Sequence, residues 1–225
     1  MAVVLGAGWI TPDRDFDVAE HLELRGLRPL ARASRLACVA AASALRHPEP
    51  LPAAPERCAV VLGTRFASIE PLVEFNRIAL TDGPGLVNPS SFPNVVVNAH
   101  AGYLGILFGL AGPNVTLCGE SAGLEALGQA LDLLELGRAD AVLAGGVEAY
   151  GETLYEGLRR AGKDAPEEAA AFLLLGRDGP GPKLGLADIA TGEVGAAAGA
   201  LTVVQELGRE TRQVTAPATA PAQHA

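Results

Sequence analysis

The residues most able to do chemistry lie together between Val115 and Gly123, which reads Val-Thr-Leu-Cys-Gly-Glu-Ser-Ala-Gly. Gly119 to Gly123 is a G-x-S-x-G pentapeptide, the pattern that lifts a serine hydroxyl onto a strained strand-to-helix turn in hydrolases. A short apolar run precedes it and a helical pattern follows, so the local context fits. Ester hydrolysis by Ser121 also requires an acid and a histidine later in the chain. The only later histidine is His224, in a Pro/Ala-rich tail, so a serine esterase is the weakest of the functional readings. Glu120 is expected at a helix N-terminus, where the dipole favours a carboxylate by ~0.3–1 kcal/mol, and a structural cap is its simplest role. Cys118 closes a strand expected to be buried, whereas a reactive thiol needs an exposed, electropositive setting. It is expected to be a small core residue.

Other candidate clusters are thin. Cys38, Cys58 and Cys118 are odd in number and form no C-x-x-C pair, so neither a zinc site nor a disulfide framework is expected, and no metal or cofactor is assigned. Such cysteine usage fits a reducing cytoplasm, and the N-terminus MAVVLGAGWITPDRD lacks the basic start and cleavage site of a signal peptide. Arg25, Arg28, Arg32 and Arg35 form a basic run that fits either contact with an acidic carrier protein or the solvated face of a loop and helix, the second being simpler. A net charge of -9 argues against nucleic-acid binding, which rests on clustered Lys and Arg.

The elements that must position the turn are legible from glycine and proline punctuation. At 225 residues and 49% apolar the chain can bury a core without staples. Residues 1–210 read as one domain and 211–225 as a disordered tail. Strands are expected at Val3 to Leu5, Cys58 to Leu62, Val115 to Leu117, Asp140 to Ala144, Ala171 to Leu175 and Lys183 to Ile189. Gly6, Gly63 and Gly145-Gly146 are read as strand stops. Helices are expected at Leu30 to Leu45, Ser68 to Leu80, Ala99 to Leu110, Ser121 to Leu136, Leu154 to Ala161 and Gly192 to Leu207. Alternation of this kind predicts an α/β domain with helices packed on a sheet.

From Gly83 to Gly119 there are 37 residues without one Asp, Glu, Lys or Arg. Asn88, Pro89, Pro93, Asn94, Asn98 and Gly112-Pro113-Asn114 interrupt the block, so it is not a membrane span, and no membrane insertion is expected. Burial in the core or in a subunit interface is the expectation.

From Val87 to Glu148 the chain resembles the N-terminal half of the β-ketoacyl synthases, enzymes of the thiolase-like fold that condense acyl chains in fatty-acid and polyketide assembly. The motifs that carry the resemblance run in order: VVLGAGWITP, Ser34-Arg35-Leu36-Ala37, VVLGT at Val60 to Thr64, SFPNVVVNAHAG, GPNVTL and ADAVLAGGVE. The likeness covers about residue 3 to Arg177, with Lys183 to Leu207 loosely similar. It implies a half-fold with a mixed sheet covered by helices, truncated before the family's second half.

Two departures follow from the resemblance. An active synthase carries a nucleophilic cysteine in the turn after the GPNVTL-like strand, its thiolate favoured by the helix N-terminus. Here the turn is one residue short: counting from Gly112-Pro113 puts Ser121 at that position, and counting back from Gly123-Leu124 puts Glu120 there. Glu120 is preferred because the helix after it matches without a gap. The family's second half also supplies two histidines, and none of His21, His47, His100 and His224 lies in a matching motif. The resemblance therefore implies no catalysis by this chain alone. It is closest to chain-length factors, the cysteine-less subunits that pair with an active synthase, and above all to those of aryl polyene and related type II polyketide systems. It implies a heterodimer with a synthase, or a homodimer, with acyl carrier protein met indirectly. Phe92, Val96, Val97, Asn98, Asn114, Thr116 and Cys118 become candidates for the acyl tunnel or the subunit interface. Ordinary core packing is the competing account of Phe92, Val96 and Val97. A self-associating acyl-binding or scaffold protein is the competing account of the whole.

Overall fold

The computed structural model describes residues 1–208 apart from Arg14, Pro48, 164–166 and 190–199. Six strands form one mixed sheet: β1 (Ala2–Ile10), β2 (Cys58–Thr64), β3 (Asn114–Cys118), β4 (Ala141–Glu148), β5 (Ala169–Gly176) and β6 (Lys183–Leu184). Their order across the sheet is β3-β2-β4-β5-β1-β6. β2 runs parallel to both β3 and β4, β5 pairs antiparallel with β4, and β1 pairs antiparallel with β5 and so shares the direction of β4. Parallel neighbours require helical crossovers, which α2 (Ile69–Thr81), α3 (Ala99–Phe108) and α4 (Ala122–Glu135) provide.

Strand alternation divides the interior into two cores. Cys58, Val60 and Leu62 of β2 face α1 (Arg32–Leu45) and α3, with Leu36, Leu104, Leu143 and Phe172 in the same cluster. Ala59 and Val61 face the opposite side, with Leu127, Ala130 and Val142. Each strand is therefore apolar on both faces, as expected for a sheet covered by helices on both sides. The result is a layered α/β arrangement with helices packed on a mixed sheet, as expected from the sequence.

Several boundaries move, and glycine is the main reason. β1 continues through Gly6 and Gly8 because the α1 backbone lies against it: a Cβ on either glycine would meet Ala44 or Ala40 carbonyl oxygens at 2.0 and 2.2 Å. Gly145 and Gly146 lie inside β4 for a related reason, since a Cβ at Gly145 would reach the Ala171 carbonyl oxygen at 1.9 Å. These glycines mark close approach of a second element rather than a stop. Lys183 to Ile189 is not one strand. Only Lys183–Leu184 pairs with β1, and α6 (Leu186–Ile189) begins after Gly185, whose N–H donates to Asp188 at 2.7 Å. α5 (Glu152–Arg160) matches its expected helix within two residues. Of the last expected helix, residues 200–208 are helical, and its first half lies outside the described residues, as does the tail.

The charge-free block is only partly interior. His100, Ala101, Leu104 and Phe108 of α3 are buried, but Leu86, Phe92 and Ile106 are 70%, 57% and 77% exposed. Burial of the whole block in the core is thus corrected: its apolar side chains divide between the core and the solvent-facing surface. Among the described residues no helix is long and apolar enough to cross a membrane.

Candidate functional site

The C-terminal ends of β2, β3 and β4 converge at Thr64, Cys118 and Glu148, the end at which parallel sheets present functional loops. The turn between β3 and α4 sits directly over β2. Gly63 makes that possible, because a Cβ there would lie 2.1 Å from the Ala122 backbone at the start of α4. The Gly119 N–H donates to the Thr64 carbonyl at 3.3 Å and ties the turn to β2.

Ser121 immediately precedes α4, and its carbonyl accepts from the Glu125 N–H at 2.9 Å. No side chain caps this helix. Glu120 is not the cap expected from the sequence. Its carboxylate points away to Arg65, with which it forms an ion pair at 2.8 Å, and Glu120 is 63% exposed. The Arg65 guanidinium also lies 4.5 Å above the Phe66 ring. Cys118 is likewise corrected: it is exposed, at the outer end of an edge strand, rather than a core residue. Its thiol is nevertheless raised above the ordinary range, first by local desolvation and then by the nearby Glu148 carboxylate, the opposite of an activated cysteine.

Behind the turn stands a carboxylate that sequence reasoning passed over. Glu148, at the end of β4, is 3% exposed. It accepts from the Thr64 hydroxyl at 3.2 Å, from the Phe66 N–H at 2.9 Å and from the Arg65 N–H. Thr64 in turn accepts from the Ala67 N–H at 3.2 Å. Burial pushes the Glu148 carboxyl up to about 7, against the pull of these donors and of Arg65. Glu148 therefore shapes the loop after β2 that carries Arg65 to Glu120. The available signal was the lone acidic residue closing the otherwise apolar run Ala141 to Val147, since a charge at the end of a buried strand needs dedicated donors.

His100 forms a second buried polar knot. Ser34 of α1 lies 2.8 Å from Nδ1, and Ser68, just before α2, lies 2.9 Å from Nε2. The Ser68 hydroxyl donates to the Val96 carbonyl at 3.2 Å. The Nε2–H accordingly donates to Ser68, and Nδ1 accepts from Ser34. Burial holds the imidazole neutral, lowering its pKa to about 4. Both nitrogens are thus committed, and among the described residues no histidine is bonded to Ser121, which leaves the G-x-S-x-G serine without a base. Nor does any group of three or more potential metal-ligating side chains occur among the described residues.

The remaining candidates lie in two places, before α3 and on β3. Phe92, Val96, Val97 and Asn98 are exposed around the start of α3, so the core-packing account of the first three fails. Asn114 Nδ2 donates to the Ala101 carbonyl at 2.9 Å, and Thr116 Oγ1 is buried without a hydrogen-bond partner among the described residues. Both lie on β3, which has β2 on one side and an open edge on the other. Of the basic run, Arg32 makes a two-pronged contact with Glu168 at 2.9 and 2.7 Å, and Arg35 donates to the Arg28 carbonyl at 2.7 Å. Arg25 and Arg28 are the exposed members.

Residues 7–181 match the model of the β-ketoacyl synthase N-terminal domain. Two 3-oxoacyl-[acyl-carrier-protein] synthase 2 sequences are similar over 178 residues: that of Vibrio harveyi at 31% identity and that of Coxiella burnetii at 32%. Each alignment spans 74% of this chain and 42% of the relative, so the chain spans well under half the length of these relatives. Among solved structures, the ishigamide ketosynthase/chain length factor superposes with a TM-score of 0.66 at 24% identity, covering 78% of this chain and 62% of that one. A ketosynthase in complex with its chain length factor from Xenorhabdus doucetiae gives a TM-score of 0.61 at 20% identity, covering 79% of each chain. At these identities the structural likeness establishes the shared fold. The chain belongs to the β-ketoacyl synthase family, as a form of its N-terminal domain.

Proposed function

We propose that this chain is a catalytically inactive, chain-length-factor-like subunit that pairs with an active β-ketoacyl synthase and shapes the cavity in which the acyl chain grows. The observation that carries this reading is the turn over β2. The family's strand, turn and helix are retained, yet the turn presents Glu120 in an ion pair with Arg65 and no activated thiol. A carboxylate is a far weaker acyl acceptor than a thiolate, and its ester-like product would be an anhydride, so acyl transfer through this turn is lost.

The surface beside the turn supports a partner. β3 is the edge strand of the sheet among the described residues, and Phe92, Val96 and Val97 before α3 and Ile106 on α3 expose apolar side chains. An open edge and exposed apolar side chains are each a hazard unless another chain covers them. A net charge of -9 disfavours direct docking of an acidic carrier protein, so carrier contact falls to the synthase partner. The sequence resemblance points to a fatty-acid or type II polyketide system of the aryl polyene kind, in the cytoplasm.

Affinity pull-down with the synthase encoded beside this chain tests the proposal: co-elution at micromolar concentration is expected, and separate migration overturns it. The open β3 edge equally suits a second copy of this chain. Native mass spectrometry decides between the two, since a homodimer that persists in the presence of the synthase favours the self-associating scaffold.

A further inference from the structure

The loop after β2 offers one guanidinium to two carboxylates. Glu148 is enclosed, and its three hydrogen-bond donors, the Thr64 hydroxyl and the N–H groups of Arg65 and Phe66, are all neutral. Glu120 stands out in solvent, yet it is the carboxylate that holds the Arg65 guanidinium, at 2.8 Å. The cation therefore sits where water already screens charge, and the carboxylate shut off from water has no ion pair among the described residues.

Magnitudes decide which charge state of Glu148 this arrangement suits. An exposed ion pair such as Arg65 with Glu120 contributes little, whereas a buried carboxylate without a cation is costly to hold in its charged form. An ionised Glu148 would thus outbid Glu120 for the guanidinium, so the geometry seen is that of a protonated Glu148. The carboxyl pushed up to about 7 by burial agrees with this. The other titratable groups that act on the site do not supply charge. The Cys118 thiol at the end of β3 and the Tyr150 phenol just past β4 both feel the Glu148 carboxylate, and desolvation first, then that carboxylate, raises each above its ordinary range, so both stay neutral while Glu148 titrates. On β5, Ala169 pairs with Glu148, and the preceding Glu168 is matched by Arg32. Arg65 remains as the cation whose charge acts on Glu148.

We infer that Arg65 is a pH-dependent latch, resting on Glu120 while Glu148 holds its proton and swinging inward to Glu148 when that proton leaves to solvent. The reach is short, because the Arg65 backbone N–H already donates to the Glu148 carboxylate and roots the side chain beside it. The swing undoes the side-chain tie between the turn before α4 and the loop after β2. The turn is then held to β2 through the bond from the Gly119 N–H to the Thr64 carbonyl, and Glu120 becomes an unpaired surface carboxylate. The latch does not depend on the pairing proposed above, because every group named belongs to this chain.

Nuclear Overhauser contacts of the Arg65 side chain, recorded on the full chain at about pH 5.5 and about pH 8.5, test the inference on either side of the Glu148 titration. Arg65 is expected to contact the Glu120 side chain at the lower pH and the Glu148 side chain at the higher, the Glu120 contact weakening at least about fivefold between them. In Glu148→Gln, shown to be folded by circular dichroism, the Glu120 contact is expected to persist at both. Contacts that do not change with pH in the unaltered chain, or that change equally in Glu148→Gln, overturn the inference. If the variant does not fold, the two-pH comparison on the unaltered chain decides the matter.

Discussion

Two carboxylates at the same end of the sheet have opposite surroundings. Glu148 is enclosed and receives three donors, one from the end of β2 and two from the loop after it, whereas Glu120, on the neighbouring turn, faces solvent and meets a single guanidinium. The comparison teaches that the frame and the reacting position have separated. The groups that hold the loop and turn in place are satisfied, while Glu120, one of the two residues that the sequence resemblance sets at the family's nucleophile position, is held by one surface ion pair. Under the proposed function, a scaffold kept intact around a chemically silent turn is what a subunit that shapes another subunit's cavity requires.

The largest effect should come from breaking the enclosed half of the comparison. Glu148→Ala strands the Thr64 hydroxyl and two backbone N–H groups, and is expected to cost about 3–5 kcal/mol, read as a lower urea midpoint. A loss below about 1 kcal/mol would mean that the loop does not depend on this carboxylate. Gly63→Ala attacks the same frame from below by driving a Cβ into the start of α4. About 1–3 kcal/mol should be lost, again by chemical denaturation.

Acidity sharpens the contrast because the two buried titratable groups respond in opposite senses. The folded Glu148 carboxyl is raised to about 7, so the folded state holds a proton that the unfolded chain releases near pH 4. Its contribution is fully present below the unfolded value and is lost as pH rises through 7. His100 is depressed to about 4; its contribution is present above the ordinary histidine range and is lost as pH falls through 4. The two opposite slopes overlap and largely cancel in the parent, so stability measured from pH 4 to 8 should show a Glu148→Gln variant exposing the His100 rise between about pH 4 and 6, an effect of about 1–3 kcal/mol. A His100→Asn variant should expose the Glu148 fall between about pH 5 and 7. Parallel curves for parent and variants would contradict these assignments. The smallest effect belongs to the exposed half: Glu120→Gln removes an ion pair whose side chains are 35% and 63% exposed, worth about 0–1 kcal/mol and screened by salt.

Much of this was legible in the chain itself. Alternating apolar runs gave the strands and helices of a layered α/β domain, and the motifs from Val87 to Glu148 gave the family. What stayed hidden depends on contacts between distant segments. Gly6 and Gly145 look like strand ends, and only the backbones of α1 and β5 pressed against them explain why they lie within strands. Cys118 looked interior because its neighbours are apolar, but β3 is an edge strand and its end is open. Glu120 looked like a helix cap until Arg65, 55 positions earlier, was brought beside it. Glu148 and His100 drew no attention because their partners, Thr64, Ser34 and Ser68, are ordinary residues made significant by the fold alone.

The central claim is that this chain works by completing another subunit rather than by reacting itself. Co-expression with the neighbouring synthase, followed by size-exclusion chromatography and a chain-elongation assay with and without this chain, tests it most directly. The account predicts a stable heterodimer and products whose acyl length changes when this chain is present. Two proteins that elute apart, with the same products in both assays, would contradict it.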